Sequence, residues 1–338
     1  SISIYFINPN HTEMYVYLDW NIFNQIEKRD SLPEGERLVY AKLYNDIIAK
    51  KIICPYSNAH LNDLIRGYKK NPLYIEGHIS IITELTNALC ICQYWKQNKP
   101  VWHSRSVKEF FDSAIEEKEF EKESFDDLLN EKYELSDTVV ISPLAIMKPL
   151  LKMKPVSIEF KQIYQADPIF SIIFPRTRTE MTEYALCCDL YNFSILLNKD
   201  FSLYKSLRKF LIQTLNKYRQ NSQFIKTINK LNPDVPMYLN MDQLFEQVAI
   251  KDSPGISSAY DKFFDTFFKF DLKGYKSDGQ FPNMIDDALH SYYAGHCEYF
   301  ITNDARCQYK AEKTFERLKI PTKAITAKEF TETVLANI

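Results

Sequence analysis

Apolar and polar positions follow one pattern at the two ends of the chain and another in the middle. Met14-Tyr-Val-Tyr-Leu18 is a continuous apolar and aromatic run that stops at Asp19, as a buried strand would. Asn21 to Lys28 then reads as a short helix, and Glu36 to Lys50 has helical periodicity. Lys51-Ile-Ile-Cys54 reads as a second strand, broken by Pro55. Ser57 is placed to cap a helix from Asn58 to about Tyr68. Leu73 to Trp95 is rich in apolar residues and predicts one long helix. Near the other end, Met284 to Gly295 predicts a helix, Glu298 to Thr302 a strand, and Ala305 to Leu318 a helix. Thr322 to Ile325 then predicts a last strand and Ala327 to Ala336 a last helix. Strands separated by helices predict a parallel sheet covered by helices.

The middle is different. Phe111 to Leu135 is strongly acidic, with Glu116, Glu117, Glu119, Glu121, Glu123, Asp126 and Asp127 close together, which fits a solvated helix face or a connector. Met181 to Lys230 is helical in pattern, and Met241 to Phe270 holds two more helices. Pro143, Pro149, Pro155, Pro168 and Pro175 punctuate a stretch with no clear periodicity. The two ends therefore read as one α/β domain, residues 1–95 with 272–338, interrupted by a mainly helical insertion over 96–271.

Composition narrows the picture without deciding it. A chain of 338 residues with 45% hydrophobic content can bury one large core or two smaller ones. Seven glycines against 22 tyrosines and 23 phenylalanines favour long helices over many tight turns. An odd set of seven cysteines without framework spacing and without a CxxC pair points to reduced thiols, not disulfides or a structural zinc site. The first residues lack a basic stretch followed by an apolar core, and no run of about 18 apolar residues occurs. Neither a secretory signal nor a membrane span is expected, and the expected compartment is the cytoplasm.

Candidate chemistry lies in the acidic residues. Asp19 ends the first strand and Asp304 follows the strand near Tyr299. Asp63 lies inside the helix after the second strand, and Asp287 near the start of the helix before the Asp304 strand. Open α/β sheets place ligands outside the carboxyl ends of their strands. Carboxylates gathered there repel one another unless a cation compensates. An oxygen-only set with asparagine neighbours suits Mg²⁺ or Mn²⁺ better than zinc. Asn21 and Thr302 could bond the carboxylates or cap the adjoining elements; His60 and His290 lie one helical turn from a carboxylate, placed to steer a phosphate or simply to pack.

These residues resemble the four motifs of PIN-domain nucleases. Tyr17-Leu-Asp-Trp-Asn21 is similar to the opening motif, a strand ending in Asp with Asn or Thr two residues on. Pro55-Tyr-Ser-Asn-Ala-His-Leu-Asn-Asp63 is similar to the second, with Asp in place of the commoner Glu. Asp287-Ala-Leu-His290 and Tyr299-Phe-Ile-Thr-Asn-Asp304 are similar to the third and fourth, Asp287 matching better than its neighbour Asp286, which could instead stabilise the helix N-terminus. The resemblance covers residues 14–95 and 275–338. It implies a three-layer PIN-like fold around a central parallel sheet. It also implies one or two Mg²⁺ or Mn²⁺ ions held by Asp19, Asp63, Asp287 and Asp304, supported by Asn21, His60, Asp286, His290, Thr302 and Asn303. The implied activity is phosphodiester hydrolysis, usually of RNA, leaving a 5′-phosphate and a 3′-hydroxyl.

The net charge of −2 announces no nucleic acid, but Phe201 to Lys230 carries Lys205, Arg208, Lys209, Lys217, Arg219, Lys226 and Lys230 with no acidic residue. Tyr204, Phe210, Tyr218 and Phe224 are interleaved with them. Basic side chains contact phosphates and exposed aromatics stack bases, so this stretch is the candidate nucleic-acid surface. An amphipathic helix pair with aromatics inward would show the same pattern. The expected activity is thus an endoribonuclease in a toxin, defence or RNA-processing role, with RNA ahead of DNA as substrate and a regulatory protein or a second copy as partner. A structure-specific or single-strand DNA nuclease and a non-catalytic scaffold are the competing expectations.

Overall fold

Four short strands run parallel in one sheet, and the order in which the chain adds them reverses between the two middle strands. The structure is a computed structural model. It describes residues 14–94, 97, 99–119, 124–129, 132–135, 138–141, 147–157, 168–219, 259–272 and 281–336. The first part contains β1 (Met14–Leu18), α1 (Trp20–Glu27), α2 (Glu34–Ile48), β2 (Ile52–Ile53), α3 (Asn58–Lys70), α4 (Ile75–Thr86), β3 (Leu89–Cys92), β4 (Val101–Ser104) and α5 (Val107–Glu119). Next come α6 (Phe125–Leu129), β5 (Lys132–Leu135), β6 (Thr138–Ile141), α7 (Met147–Met153), α8 (Ile169–Ile173), α9 (Thr177–Glu180), α10 (Glu183–Lys199) and α11 (Phe201–Arg219). The last part holds α12 (Ala259–Leu272), α13 (Phe281–Ala294), β7 (Tyr299–Ile301), α14 (Ala305–Leu318), β8 (Lys323–Ile325) and α15 (Ala327–Glu329).

Sheet order is β2-β1-β7-β8, with every neighbouring pair parallel. From β1 the chain moves outward to β2, and from β7 it moves outward to β8 on the other side. The carboxyl ends of β1 and β7 thus flank the point where strand order reverses, the place where open α/β sheets form a crevice. A parallel bridge between Tyr56 and Cys90 brings the antiparallel hairpin β3–β4 beside the chain that follows β2.

Successive strand residues point to opposite faces, and both faces are covered. Val16, Leu18 and Ile301 join a core with Ile22, Phe23, Leu43 and Ile82 from α1, α2 and α4. Tyr17 and Phe300 join a second core with Phe263 and Phe267 of α12, Tyr292 of α13 and Phe315 of α14. Burial on both sides explains why β1 and β7 are apolar without alternation. The result is an α/β arrangement of helix layer, parallel sheet and helix layer.

Two units divide the chain. The first holds the described residues of 1–117, 239–278 and 283–338, and the second those of 118–238 and 279–282. This moves the expected boundaries. β4, α5 and α12, assigned by the sequence reading to the insertion, belong with the parallel sheet. For α12 the reason is the Phe263 and Phe267 pair, one turn apart, which fills the sheet's second face. The single helix expected over Leu73–Trp95 is also corrected. A 3₁₀ turn precedes α4, the backbone turns left-handed at Asn87 (φ 48°) and Ala88 (φ 59°), and Leu89–Cys92 continues as a strand. A short apolar run such as Leu89–Cys92 does not by itself distinguish a buried helix from a buried strand.

The second unit is not purely helical, since β5 and β6 pair as an antiparallel hairpin. Its helices α8, α10 and α11 share a core of Ile169, Ile173 and Phe174 with Phe193, Leu207 and Phe210. Buried Asp189 accepts hydrogen bonds from the Thr177 amide and hydroxyl, both at 2.6 Å, and so anchors α9. The helices expected over 220–230 and 241–258 lie outside the described residues. All seven cysteines are free thiols. Among the described residues no helix is long and apolar enough to cross a membrane.

One buried ion pair fastens α12 to α14. Lys310 and Asp271 are both fully buried, with Nζ and Oδ1 3.3 Å apart, and Nζ lies 5.0 Å from the centre of the Phe267 ring. Removing one member of such a pair strands a charge in the core, whereas replacing both with apolar groups does not. Lys310→Met should therefore lower unfolding free energy by about 3–5 kcal/mol, and Lys310→Met with Asp271→Leu should recover most of it. Urea unfolding followed by circular dichroism measures both.

Candidate active site

Asp19 begins the site. β1 delivers it to the sheet's carboxyl edge, where its amide donates to the Ile301 carbonyl at 2.9 Å and its side chain caps α1 through the Trp20 amide at 2.7 Å. The second carboxylate oxygen accepts from the Thr302 hydroxyl at 2.6 Å and from the Asn21 amide group. Asn21 also donates to Thr302 Oγ1 at 3.2 Å, so β1 and β7 are tied together through this one carboxylate. Asn303 closes the loop beneath, its amide donating to Asn21 Oδ1 at 3.1 Å.

Asp304 caps α14. Its Oδ1 accepts from the amides of Arg306 at 2.7 Å and Cys307 at 3.2 Å, and its own amide donates to Thr302 Oγ1 at 3.0 Å. The side chain is exposed at the rim of the same edge.

α3 and α13 supply the remaining carboxylates. Ser57 caps α3 through the Ala59 amide, and His60 takes the usual place of a Glu in the capping box by accepting the Ser57 amide on Nδ1 at 3.0 Å. One turn later Asp63 accepts from His290 Nε2–H of α13 at 2.8 Å and pairs with Arg66. Arg66 pairs equally with Asp286 of α13, which also accepts from the Asn62 side chain at 3.2 Å. Asp287, preferred over Asp286 on motif grounds, instead faces Lys310 at 3.5 Å and is partly exposed. One residue turns a helical side chain by about 100°, which is enough to exchange the two roles.

Behind the carboxylates lies a buried polar chain. The Tyr17 hydroxyl is 3.0 Å from His290 Nδ1 and 2.7 Å from Ser57 Oγ. His60 donates Nε2–H to the Leu18 carbonyl at 2.8 Å. Both ring nitrogens of His60 are thus engaged inside the protein, and its side chain is fully buried. In this arrangement His60 fixes the end of β1 and does not meet a substrate. His290 is also buried, and it orients Asp63. The site roles of Tyr17 and Arg66 escaped the sequence reading, and Ser57 entered it only as the cap of α3. Arg66 carried a usable signal, its i,i+3 spacing from Asp63 on one helix. A tyrosine in an apolar strand carried none.

Electrostatics follow from burial and pairing. Burial raises the pKa of Asp19 above the usual carboxylate range, and the charge of His290 only partly offsets it. Asp286 is likewise raised by burial against the pull of Arg66. Burial also acts to raise Asp63, but the His290 hydrogen bond and the charges of His290 and Arg66 outweigh it, and its pKa is lowered. His290 is pushed down by burial and then raised above its ordinary value by the Asp63 hydrogen bond and the Asp19 charge. Burial lowers His60 to about 3.

The donor chemistry fits a hard divalent ion, since every candidate ligand is an oxygen and the edge is acidic. The donors are engaged with one another's partners, however. Among the described residues no three carboxylate, histidine or thiol groups converge on a single point. Asp63 is engaged by Arg66 and His290, and Asp286 by Arg66 and Asn62.

The candidate nucleic-acid surface divides in two. On α11, Lys205 and Lys209 are exposed and Arg208 is half-buried, its guanidinium 5.6 Å from the Tyr204 ring. Tyr204 is buried and Phe210 packs into a core, so these aromatics do not offer faces to bases. Lys217 and Arg219 lie at the end of α11, and Phe224, Lys226 and Lys230 fall outside the described residues.

Fold and site together define an α/β protein with a cluster of acidic side chains at the reversal point of a four-stranded parallel sheet. Compared with protein-family models, curated proteins and solved structures, the chain matches none.

A histidine that folds into a depressed pKa favours the folded state only while it stays neutral. The unfolded value is near 6.5 and the folded value about 3. Stability from a neutral His60 is therefore fully present above about pH 6.5 and lost progressively as pH falls toward 3. His290, with a raised pKa, acts in the opposite sense, losing its contribution as pH rises through its folded value. Unfolding free energy of the wild type should fall more steeply between pH 6.5 and 4 than that of His60→Gln, by an amount of a few kcal/mol at most. Urea titrations at stepped pH measure the two slopes.

Proposed function

We propose that the crevice is the active site of a metal-dependent nuclease with a PIN-like fold. Asp19 carries the reading. It is buried at the carboxyl end of a central strand, and among the described residues the nearest cationic group is His290 Nε2, at 3.9 Å. A carboxylate so placed is short of positive charge, and a divalent ion would supply it.

Asp19, Asp63 and Asp304 would hold the ion, with Asp286 or Asp287 from α13. When bound, it supplies Lewis-acid activation of water and neutralises charge on a phosphate. The protein's own part is positioning. Thr302 and Asn21 hold the Asp19 carboxylate from one side, which leaves its rotation fixed. His290, steadied by Tyr17, holds Asp63 in the same way. The proposed reaction is hydrolysis of a phosphodiester to a 5′-phosphate and a 3′-hydroxyl, with RNA as substrate and a toxin or defence role. Within the second unit, Lys205, Arg208 and Lys209 on α11 would bind phosphates, whose sign is a steep salt dependence of binding.

A second reading has its own support. Arg66 already bridges Asp63 and Asp286, so the edge could be a protein-only ion network serving a scaffold. Metal binding separates the two. With Mn²⁺ present, the wild type should bind the ion and cleave single-stranded RNA faster than DNA, while Asp19→Asn should stay folded and lose cleavage by about 100-fold or more. Calorimetric titration showing no divalent binding by folded wild-type protein would leave the scaffold standing.

A further inference from the structure

The parallel sheet ends at β8, and the outer side of that strand is open. Lys323 donates its amide to the Glu298 carbonyl at 3.0 Å, and the Ile325 carbonyl accepts from the Thr302 amide at 3.1 Å, so both residues face β7. Alternate residues of a parallel strand bond to opposite sides, so Ala324 turns its N–H and C=O to the outer edge. Gln308 Nε2 of α14 donates to that carbonyl at 3.2 Å. The Ala324 amide has no partner among the described residues. Unpaired backbone groups on an edge strand are a template for another strand.

A groove of about 470 Å³ runs along this edge between α14 and β8. Phe315, Ile320 and Ala324 give it an apolar floor. Glu312, Glu316 and Glu329 are exposed around it, against one cation among the lining residues, Lys323. Glu316 pairs with Lys313 at 2.7 Å and Glu312 accepts from Gln308 at 2.9 Å, whereas Glu329 has no ion pair among the described residues. An occupant must therefore offer a backbone acceptor to Ala324, an apolar side chain to the floor and positive charge to the rim. A small amine would leave the Ala324 amide unpaired, and the glutamates would repel a nucleic-acid backbone.

We propose that the groove beside β8 receives an extended segment of a partner protein bearing a lysine or arginine, which joins the sheet as a fifth strand. A carbonyl of the segment accepts the Ala324 amide, and one of its amides takes the Ala324 carbonyl over from Gln308. Its basic side chain meets Glu312 and Glu329. The groove uses none of the residues assigned to the acidic crevice, so a failure of the nuclease reading leaves it standing.

The test is fluorescence anisotropy of the full chain with a labelled seven-residue peptide of alternating valine and lysine, together with hydrogen exchange of the complex. This peptide should bind about tenfold tighter or more than its valine–glutamate counterpart and should lose affinity as salt is added. Residues 322–326 should exchange more slowly in the complex. N-methylation of alternate peptide residues should abolish binding in one phase of the alternation and spare it in the other, because an added strand bonds along one edge only. Glu312→Gln with Glu329→Gln should weaken binding about tenfold at an unchanged melting temperature. Should that variant fail to fold, the comparison of the two peptides on wild type decides. No binding of the lysine peptide, equal binding of both peptides, or indifference to N-methylation overturns the proposal. Protection elsewhere with residues 322–326 unchanged also overturns it, as does a dimer of the chain joined through β8, seen by sedimentation, in which a second copy is the occupant.

Discussion

The parallel pairing of β1 with β7 forces acidic residues into one place. Both strands end at the same sheet edge, and each hands its chain to a helix through a polar cap, Asp19 in one case and Asp304 in the other. α3 and α13 then bring Asp63 and Asp286 to that edge. Carboxylates so crowded and so buried are unstable alone, and the rest of the crevice can be understood as a set of responses to that instability. Thr302 and Asn21 donate to Asp19, His290 donates to Asp63, and Arg66 spans Asp63 and Asp286.

The responses are unequal, and the inequality carries information. Asp63 is well compensated and its pKa is lowered, while Asp19 and Asp286 remain raised. Charge compensation thus runs short nearest the β1 terminus. Beneath it, the chain from His290 through Tyr17 to Ser57, with His60 bonded to the Leu18 carbonyl, gives the crevice a rigid polar floor between two apolar cores. Side chains held by such a floor keep their geometry.

Much of this frame was legible in sequence. An apolar run ending in Asp, a Ser-capped helix and a Thr-Asn-Asp turn are local signals, and the strands and helices that carry Asp19, Asp63 and Asp304 lie where those signals place them. Four features were not legible, each for a physical reason. Asp286 and Asp287 are adjacent, and only the helix's rotation decides which meets Arg66 and which meets Lys310. β3 follows closely on α4 and hides because a strand buried on both faces shows no alternation. α12 belongs to the sheet although residues 118–238 intervene, since Phe263 and Phe267 could have filled any core. The role of Tyr17 was hidden because a buried hydroxyl declares its partners only in three dimensions.

The central claim is that the charge shortage at Asp19 is met by a divalent ion. Anomalous scattering from crystals grown with Mn²⁺ tests it most directly. The account predicts an anomalous peak at the carboxyl ends of β1 and β7, bonded to Asp19. A crystal saturated with Mn²⁺ that shows no peak there would contradict it.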